Sequence, residues 1–474
     1  MRDRYDVVII GAGPAGIFTA IELKKKWPGA AILMVDKGRT IAERHCPAQT
    51  TGVCRACEPC SITSGWSGAG AHSDGKLSLS PAVGGRLTDY LPEEEARALI
   101  AYADGIYLHF GARREVYGLD ERRVEDLAYE ASKYNIQLIP CPVRHLGTEL
   151  AAKVLERMYH YLVDELGVEF VPSTIAKEIA VDRDAGRVAG VLLHTRGAER
   201  RVGARYVVVA PGRGGAEWLR KETERLGIET ESNEVDIGVR VEAPNSILDR
   251  LTKDLYEAKL IYYSDTFDNR VRSFCMNPGG VVSEEHYDGQ IAVVNGHSYA
   301  DPALKTHNTN FALLVSTRFT QPFREPIEYG KYIARLANML TGGGVIVQRL
   351  GDLLRGRRTD HDRLRKSTTI PTLRSAVPGD LSYVLPHRYL TSIVETLRAL
   401  ENIIPGIYGR NTLLYGVEVK FYSSKVKVGE NFETPIGNLY TIGDGAGITR
   451  GLMQASVTGI VVARDIAARA GEAG

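Results

Sequence analysis

Residues Tyr5 to Asp36 constrain the fold more than any other stretch of the chain. They read as a buried strand (Tyr5 to Ile10), a glycine-rich turn, a helix (Pro14 to Lys26) and a second strand (Ala31 to Asp36). Gly11, Gly13 and Gly16 give the turn G-x-G-x-x-G spacing, and Asp36 follows Gly16 by twenty residues. Each residue type has a task in a β-α-β unit that binds a dinucleotide. Gly11 allows the tight turn, Gly13 lets the backbone approach a pyrophosphate, and Gly16 lets the helix pack on the strand. Pro14 and Ala15 open the helix, whose first turn needs no donor from proline and whose positive end favours an anion. Asp36, with Lys37 beside it, is placed to accept bonds from a ribose diol. A bare tight turn is the alternative reading of the glycines, and the motif alone does not separate FAD from NAD(P).

The other end of the chain narrows the choice. Leu439 to Ile442, Gly443-Asp444 and a helix pattern from Gly451 to Ala468 read as strand, turn and helix. This stretch, LYTIGDGAGITRGLMQA, resembles the second flavin motif of the glutathione-reductase-like FAD proteins. The resemblance implies that Gly443 and Asp444 meet ribityl or pyrophosphate oxygens. It also implies that Gly451, Leu452 and Met453 at the helix start face the flavin pyrimidine edge, where a helix N-terminus stabilises the charge of reduced flavin. Only a discontinuous domain brings Gly11 and Asp444 together. The expected fold is therefore α/β, with a Rossmann-type FAD-binding domain over 1–85, 141–232 and 423–474. A helical insert is expected over 86–140, from helix patterns at Glu93 to Phe110 and Glu121 to Tyr134, and an inserted mixed α/β substrate domain over 233–422. No second G-x-G-x-x-G follows a strand, so no separate nicotinamide domain is expected.

Further segments carry a wider resemblance. SGWSGAGAHSDGKLSLS (Ser64 to Ser80), RHLGTEL, VDIGVRVEAP and FCMNPGG look like a group of largely uncharacterised bacterial and archaeal FAD-dependent dehydrogenases. That group implies flavin contacts at Gly68, Gly70, Ala71, Asp74 and Gly75, with Gly212 joining them after the strand Tyr206 to Ala210. It also implies hydride transfer through flavin N5 to or from a small organic substrate. The C-x-x-x-x-C redox pair of common glutathione-reductase-like enzymes is missing. Ferredoxin or NAD(P)H are the electron partners this reading allows. An NAD(P)H-dependent flavin reductase or hydroxylase is the nearest alternative, and an RNA-modifying flavoprotein a more distant one.

Cys46, Cys54, Cys57 and Cys60 form C-x7-C-x2-C-x2-C. Three closely spaced thiolates and a fourth from a nearby loop suit a [4Fe-4S] cluster, although the Cys46-Pro47 pair precedes the triplet, unlike ferredoxin. Structural zinc and thiol chemistry suit the same residues. Candidate catalytic groups are His72, for proton transfer, and Lys76, for charge near the flavin; both also read as loop structure around the turn Asp74-Gly75. Arg240 suits a substrate anion or a surface ion pair. The basic run Arg355, Arg357, Arg358, Arg363, Arg365 and Lys366 reads as a solvated face or an anion grip.

Composition sets the limits. In 474 residues, 59 Lys and Arg oppose 58 Asp and Glu, a net charge of +1 that argues against a general nucleic-acid binder. Glycine interrupts the apolar start, and no other apolar run reaches the roughly 20 residues that cross a bilayer. No membrane span is expected, and the chain reads as cytoplasmic.

Overall fold

The computed structural model describes residues 1–47, 55, 57–231, 233–287, 291–299, 301–320, 323 and 325–472. The chain divides into two compact units. One comprises Met1–Arg114, Arg144–Asn233 and Ser423–Gly474; the other comprises Glu115–Val143 and Glu234–Tyr422.

In the first unit, Arg4–Ile10 runs parallel to Ile32–Val35 on one side and to Ala198–Val209 on the other. Glu169–Val171 extends the first side, and Leu439–Thr441 runs parallel to the last residues of Ala198–Val209. The earlier half of that long strand instead pairs antiparallel with Arg187–Thr195, which pairs with Thr174–Asp182. The strand order thus reverses beside Arg4–Ile10, and open α/β sheets bind ligands outside the carboxyl ends of strands at such a reversal.

Local chemistry fixes the helix that follows the first strand, Pro14–Lys26. Proline sits at its start, Lys24, Lys25 and Lys26 occupy the last turn where the helix dipole is negative, and Pro28 prevents continuation. Ile17, Phe18 and Leu23 are fully buried in the core of this unit, each contributing on the order of 1.5–3 kcal/mol. The C-terminal helix, Leu452–Glu472, is longer than its sequence pattern and buries Val457, Ile460 and Val462. The discontinuous Rossmann-type reading is the architecture observed.

The helical insert is a correction. Glu93–His109 belongs to the first unit, whereas Glu121–Ser132 and the strand Ile136–Ile139 belong to the second. Ile136–Ile139 pairs antiparallel with Lys259–Tyr263 at the edge of that unit's sheet, so the backbone groups facing that strand find their partners there.

The second unit carries a sheet that, among the described residues, has eight strands. Their order is Val377–Pro378, Ile346–Arg349, Leu413–Lys420, Val235–Pro244, Asn308–Thr317, Arg270–Asn277, Lys259–Tyr263 and Ile136–Ile139. Val235, Ile237, Val239 and Val241 point into an apolar core with Leu248, Ile333 and Ile393 from three helices. The alternate residues Asp236, Arg240 and Glu242 point the other way and are also buried. The antiparallel hairpin Val281–Tyr287 and Ile291–His297 packs on that charged face: a Cβ on its Gly296 would lie 2.3 Å from Arg240 Nη1. Among the described residues no helix is long and apolar enough to cross a membrane.

Candidate functional site

Three turns meet at the carboxyl ends of neighbouring parallel strands in the first unit. Gly11–Gly13 follows Arg4–Ile10, Pro211-Gly212 follows Ala198–Val209, and Gly443-Asp444 follows Leu439–Thr441. The backbone ties them: Ala210 N donates to Ile10 O at 2.7 Å, and Ile442 N to Val209 O at 3.0 Å.

The glycines divide into two kinds. Gly11, at φ +105°, could not carry a Cβ because it would lie 2.1 Å from Ala210 O. A Cβ on Gly16 would lie 2.1 Å from Gly11 O, and one on Gly445 2.6 Å from Gly212 O. These positions let backbones pack. At Gly13, Gly212 and Gly451, by contrast, a Cβ would meet nothing within 4 Å. Gly13 and Gly451 immediately precede the helices Pro14–Lys26 and Leu452–Glu472, so open space adjoins two helix N-termini. That is a cradle for an anion that needs close backbone approach.

Segment 64–72 folds against this cradle. Ser67, at φ +65°, donates its N–H to Ala12 O at 2.6 Å, and a Cβ on Gly68 would lie 3.4 Å from Gly13 Cα. Gly70 lies in the short Gly68–His72 turn, where a Cβ would meet Leu452 and Pro14 side chains at 2.9 and 3.7 Å. Ala71 is buried beside it, and Ala15 and Met453 are buried in their helix starts. Asp36 pins the segment: its Oδ1 accepts from Gly38 N at 2.8 Å and Gly65 N at 2.7 Å, and its Oδ2 from Ala12 N at 2.9 Å. Three of the carboxylate's roughly four acceptor positions are used, which leaves one open. Lys37 reaches across to Gly214 O at 2.7 Å.

Asp444 is held on one edge. Its Oδ1 accepts from Thr449 Oγ1 at 2.7 Å and Gly451 N at 3.3 Å, while Arg213 stands 3.8 Å from Oδ2. Asp74 and Lys76 form an ion pair at 3.1 Å with both side chains largely buried, and half-buried His72 ends the Gly68–His72 turn. Gly75 has a packing role instead, since a Cβ there would meet Leu146 and Ala151 at 2.9 Å.

Sequence reading missed several residues of this cradle. Buried Arg44 donates to the carbonyls of Ser61, Ile62 and Trp66, clamping the loop that leads to Ser67. Burial pulls its guanidinium down to about 10, while Asp36 and Cys60 push the other way. Gln454, in the first turn of the last helix, donates to Pro81 O and Val83 O, both at 3.0 Å, and its buried Oε1 has no partner among the described residues. Thr449 and Gln454 lie inside the C-terminal motif itself, and that position was the available signal. Arg44 had none, because nothing in sequence separates it from a surface arginine.

One expectation is not met by the described geometry, and a second falls partly outside it. Arg240 lies in the second unit with no exposed side-chain surface. Its fork takes both oxygens of Glu418, at 2.8 and 2.9 Å, and its Nη1 bonds Asn310 Oδ1 at 2.7 Å. Burial works against its charge, but Glu418 more than offsets this and the pKa is raised. A fork so occupied holds strands together and is not presented to a substrate. The four-cysteine metal site is the second. Cys54 lies outside the described residues, and among the described residues no three of His, Cys, Asp and Glu come together to hold a metal, Cys46, Cys57 and Cys60 included.

Comparison with known proteins adds the following. Residues 5–89 match the family model described as pyridine nucleotide-disulphide oxidoreductase, and residues 234–421 the one described as FAD-dependent protein, C-terminal domain-like. The chain is 26% identical over 482 residues to an uncharacterized protein of Clostridium beijerinckii, spanning 97% of this chain and 80% of that one. It is 35% identical over 102 residues to digeranylgeranylglycerophospholipid reductase 1 of Methanococcoides burtonii, 22% of this chain and 23% of the other. Among solved structures it is similar to a 3-ketosteroid-delta4-(5alpha)-dehydrogenase from Rhodococcus jostii, with 14% identity, 98% and 97% of the two chains covered and a TM-score of 0.45.

Proposed function

We propose that this chain, an FAD-dependent oxidoreductase, moves a hydride between a small organic substrate and N5 of its flavin. The observation that carries the reading is the convergence of Gly11–Gly13, Pro211-Gly212 and Gly443-Asp444 beside open space at two helix N-termini. FAD supplies the hydride chemistry when bound. The residues that would hold it fit its parts. Gly13 and the helix start at Pro14 suit the pyrophosphate, Asp36 the ribose, Asp444 a ribityl hydroxyl, and Gly451 with Leu452 the ring edge that gains negative charge.

The protein's share is binding and proton placement. Lys76, paired with Asp74, is the residue we assign to placing positive charge in the glycine-rich segment. His72, at the end of the turn that touches both helix starts, is the group we assign to proton exchange with substrate. Ferredoxin or NAD(P)H is the electron partner in this proposal. The iron–sulfur relay, and zinc in its place, stay outside it because the described cysteines form no ligand group.

The test is a visible spectrum of the purified protein followed by anaerobic mixing with NADH, NADPH or reduced ferredoxin. Bound flavin that bleaches with one donor supports the reading and identifies that donor. Protein that binds no FAD even after reconstitution overturns it. In Asp444→Ala, retained flavin content would overturn the assignment of that carboxylate.

A further inference from the structure

The basic run of the second unit is organised around a single buried carboxylate. Between Arg349 and Lys366 seven residues are basic and three acidic, a net of +4 in a chain whose total is +1. Asp352 has no exposed side-chain surface, and three guanidiniums turn to it: Arg349 Nε at 2.8 Å, Arg357 Nε at 2.9 Å and Arg363 Nε at 3.9 Å. Thr359 Oγ1 adds a fourth contact at 2.9 Å. Burial alone would raise the Asp352 pKa, but Arg349, Thr359 and Arg357 hold it below the ordinary value. The carboxylate is ionised at neutral pH and offsets one of the three charges, and Asp360, on Arg363 at 2.9 Å, offsets another.

The arginines are held from behind. Each presents its Nε to Asp352, which directs the Nη nitrogens elsewhere, and among the described residues those of Arg349 and Arg357 have no protein partner. The scaffold is fixed as well. Arg355 N and Arg357 N donate to Asp352 O, Gln348 donates to Arg357 O, and Arg349 N donates to Thr359 Oγ1. Arg357 and Arg363 are 43% and 34% exposed, so solvent reaches the cluster, and Arg358 beside them is exposed. Guanidinium forks are suited to bidentate bonds with oxyanions, and forks fixed in advance lose less freedom on binding.

We infer that this arginine cluster is a binding site for a multiply charged oxyanion, namely the phosphate groups of a phosphorylated small molecule. Charge concentrated on one carboxylate's surroundings matches a compact polyanion better than the spread carboxylates of an acidic protein. The site is independent of the flavin cradle and of the proposed reaction.

The experiment is calorimetric titration of the FAD-loaded protein with inorganic pyrophosphate at fixed ionic strength, alongside sodium chloride and polyglutamate. Saturable pyrophosphate binding that weakens at least about tenfold in Arg357→Gln is expected, a change equal to one charged hydrogen bond. An unchanged far-UV circular dichroism spectrum and urea midpoint in the variant show that it folds. Arg363→Gln provides a second variant should the first misfold. No saturable heat beyond chloride, affinity equal to the parent's in both variants, or binding of polyglutamate alone would each overturn the inference.

Discussion

Gly459 and Ala15 bring the two ends of the chain together backbone to backbone: a Cβ on Gly459 would lie 2.2 Å from Ala15 O and 2.9 Å from Thr19 N. The helices Pro14–Lys26 and Leu452–Glu472 can approach this closely only because the later one lacks a side chain there. The contact also sets the separation of the two helix starts that border the open cradle.

Gly459→Val should therefore act on both stability and cofactor. Forcing extra carbons into a close helix contact costs about 1–3 kcal/mol. The expected outcome is a lower thermal midpoint together with lower FAD occupancy, measured by fluorescence-detected melting and the flavin-to-protein absorbance ratio. An unchanged midpoint would show that the helices separate without penalty.

Gly13 and Gly16 should separate binding from folding. Gly13→Val places its side chain in open space, so the fold survives while flavin occupancy falls steeply. Gly16→Ala puts a methyl 2.1 Å from Gly11 O, so the protein is destabilised before occupancy can be tested. Circular dichroism and flavin content of the two variants check this. Equal loss of structure in both would contradict the division of the glycines.

These glycines also show what the sequence revealed. Turn spacing is a local property, so the cradle at Gly11–Gly16 and Gly443-Asp444 was readable, as was the span Pro14–Lys26. The antiparallel sheet of the second unit was not. Val235–Pro244 alternates apolar and charged residues, the pattern of a strand with one wet face, yet all but the last of its residues are buried. Nothing local announces that a hairpin packs over Arg240, which is why it read as a group for a substrate anion or a surface ion pair. Leu413–Lys420 is buried at every position, mixes both kinds of residue and was missed. Ile136–Ile139 was absorbed into a helical insert because its partner strand lies more than a hundred residues away.

Cys57 offers a separate check on the cysteine segment. It is exposed and, among the described residues, makes no metal group with Cys46 or Cys60. Cys57→Ser should leave FAD content unchanged, because the cradle does not draw on that side chain. Iron, sulfide and zinc analysis of anaerobically purified parent and variant decides the ligand question: a metal complement in the parent that disappears in the variant would restore the four-cysteine site.

Asp236 should shape the acid limb of stability. It is buried, accepts from Tyr422 Oη at 2.5 Å and pairs with Arg272 at 2.5 Å. Burial would raise its pKa, but Arg272 and Tyr422 outweigh burial and lower it from 3.8 to about 2. A lowered carboxyl pKa means that the unfolded chain binds the proton first, so the contribution is complete above 3.8 and is lost as pH falls toward 2. At about 1.4 kcal/mol per pKa unit, the amount is on the order of 2 kcal/mol. Asp236→Asn leaves Arg272 without its counter-charge and lowers stability at neutral pH, by roughly 3–5 kcal/mol on the scale of broken buried pairs. Its stability should then fall less steeply than the parent's between pH 4 and 2, as read from urea midpoints across that range. Parallel slopes in parent and variant would show that Asp236 is not the group being protonated.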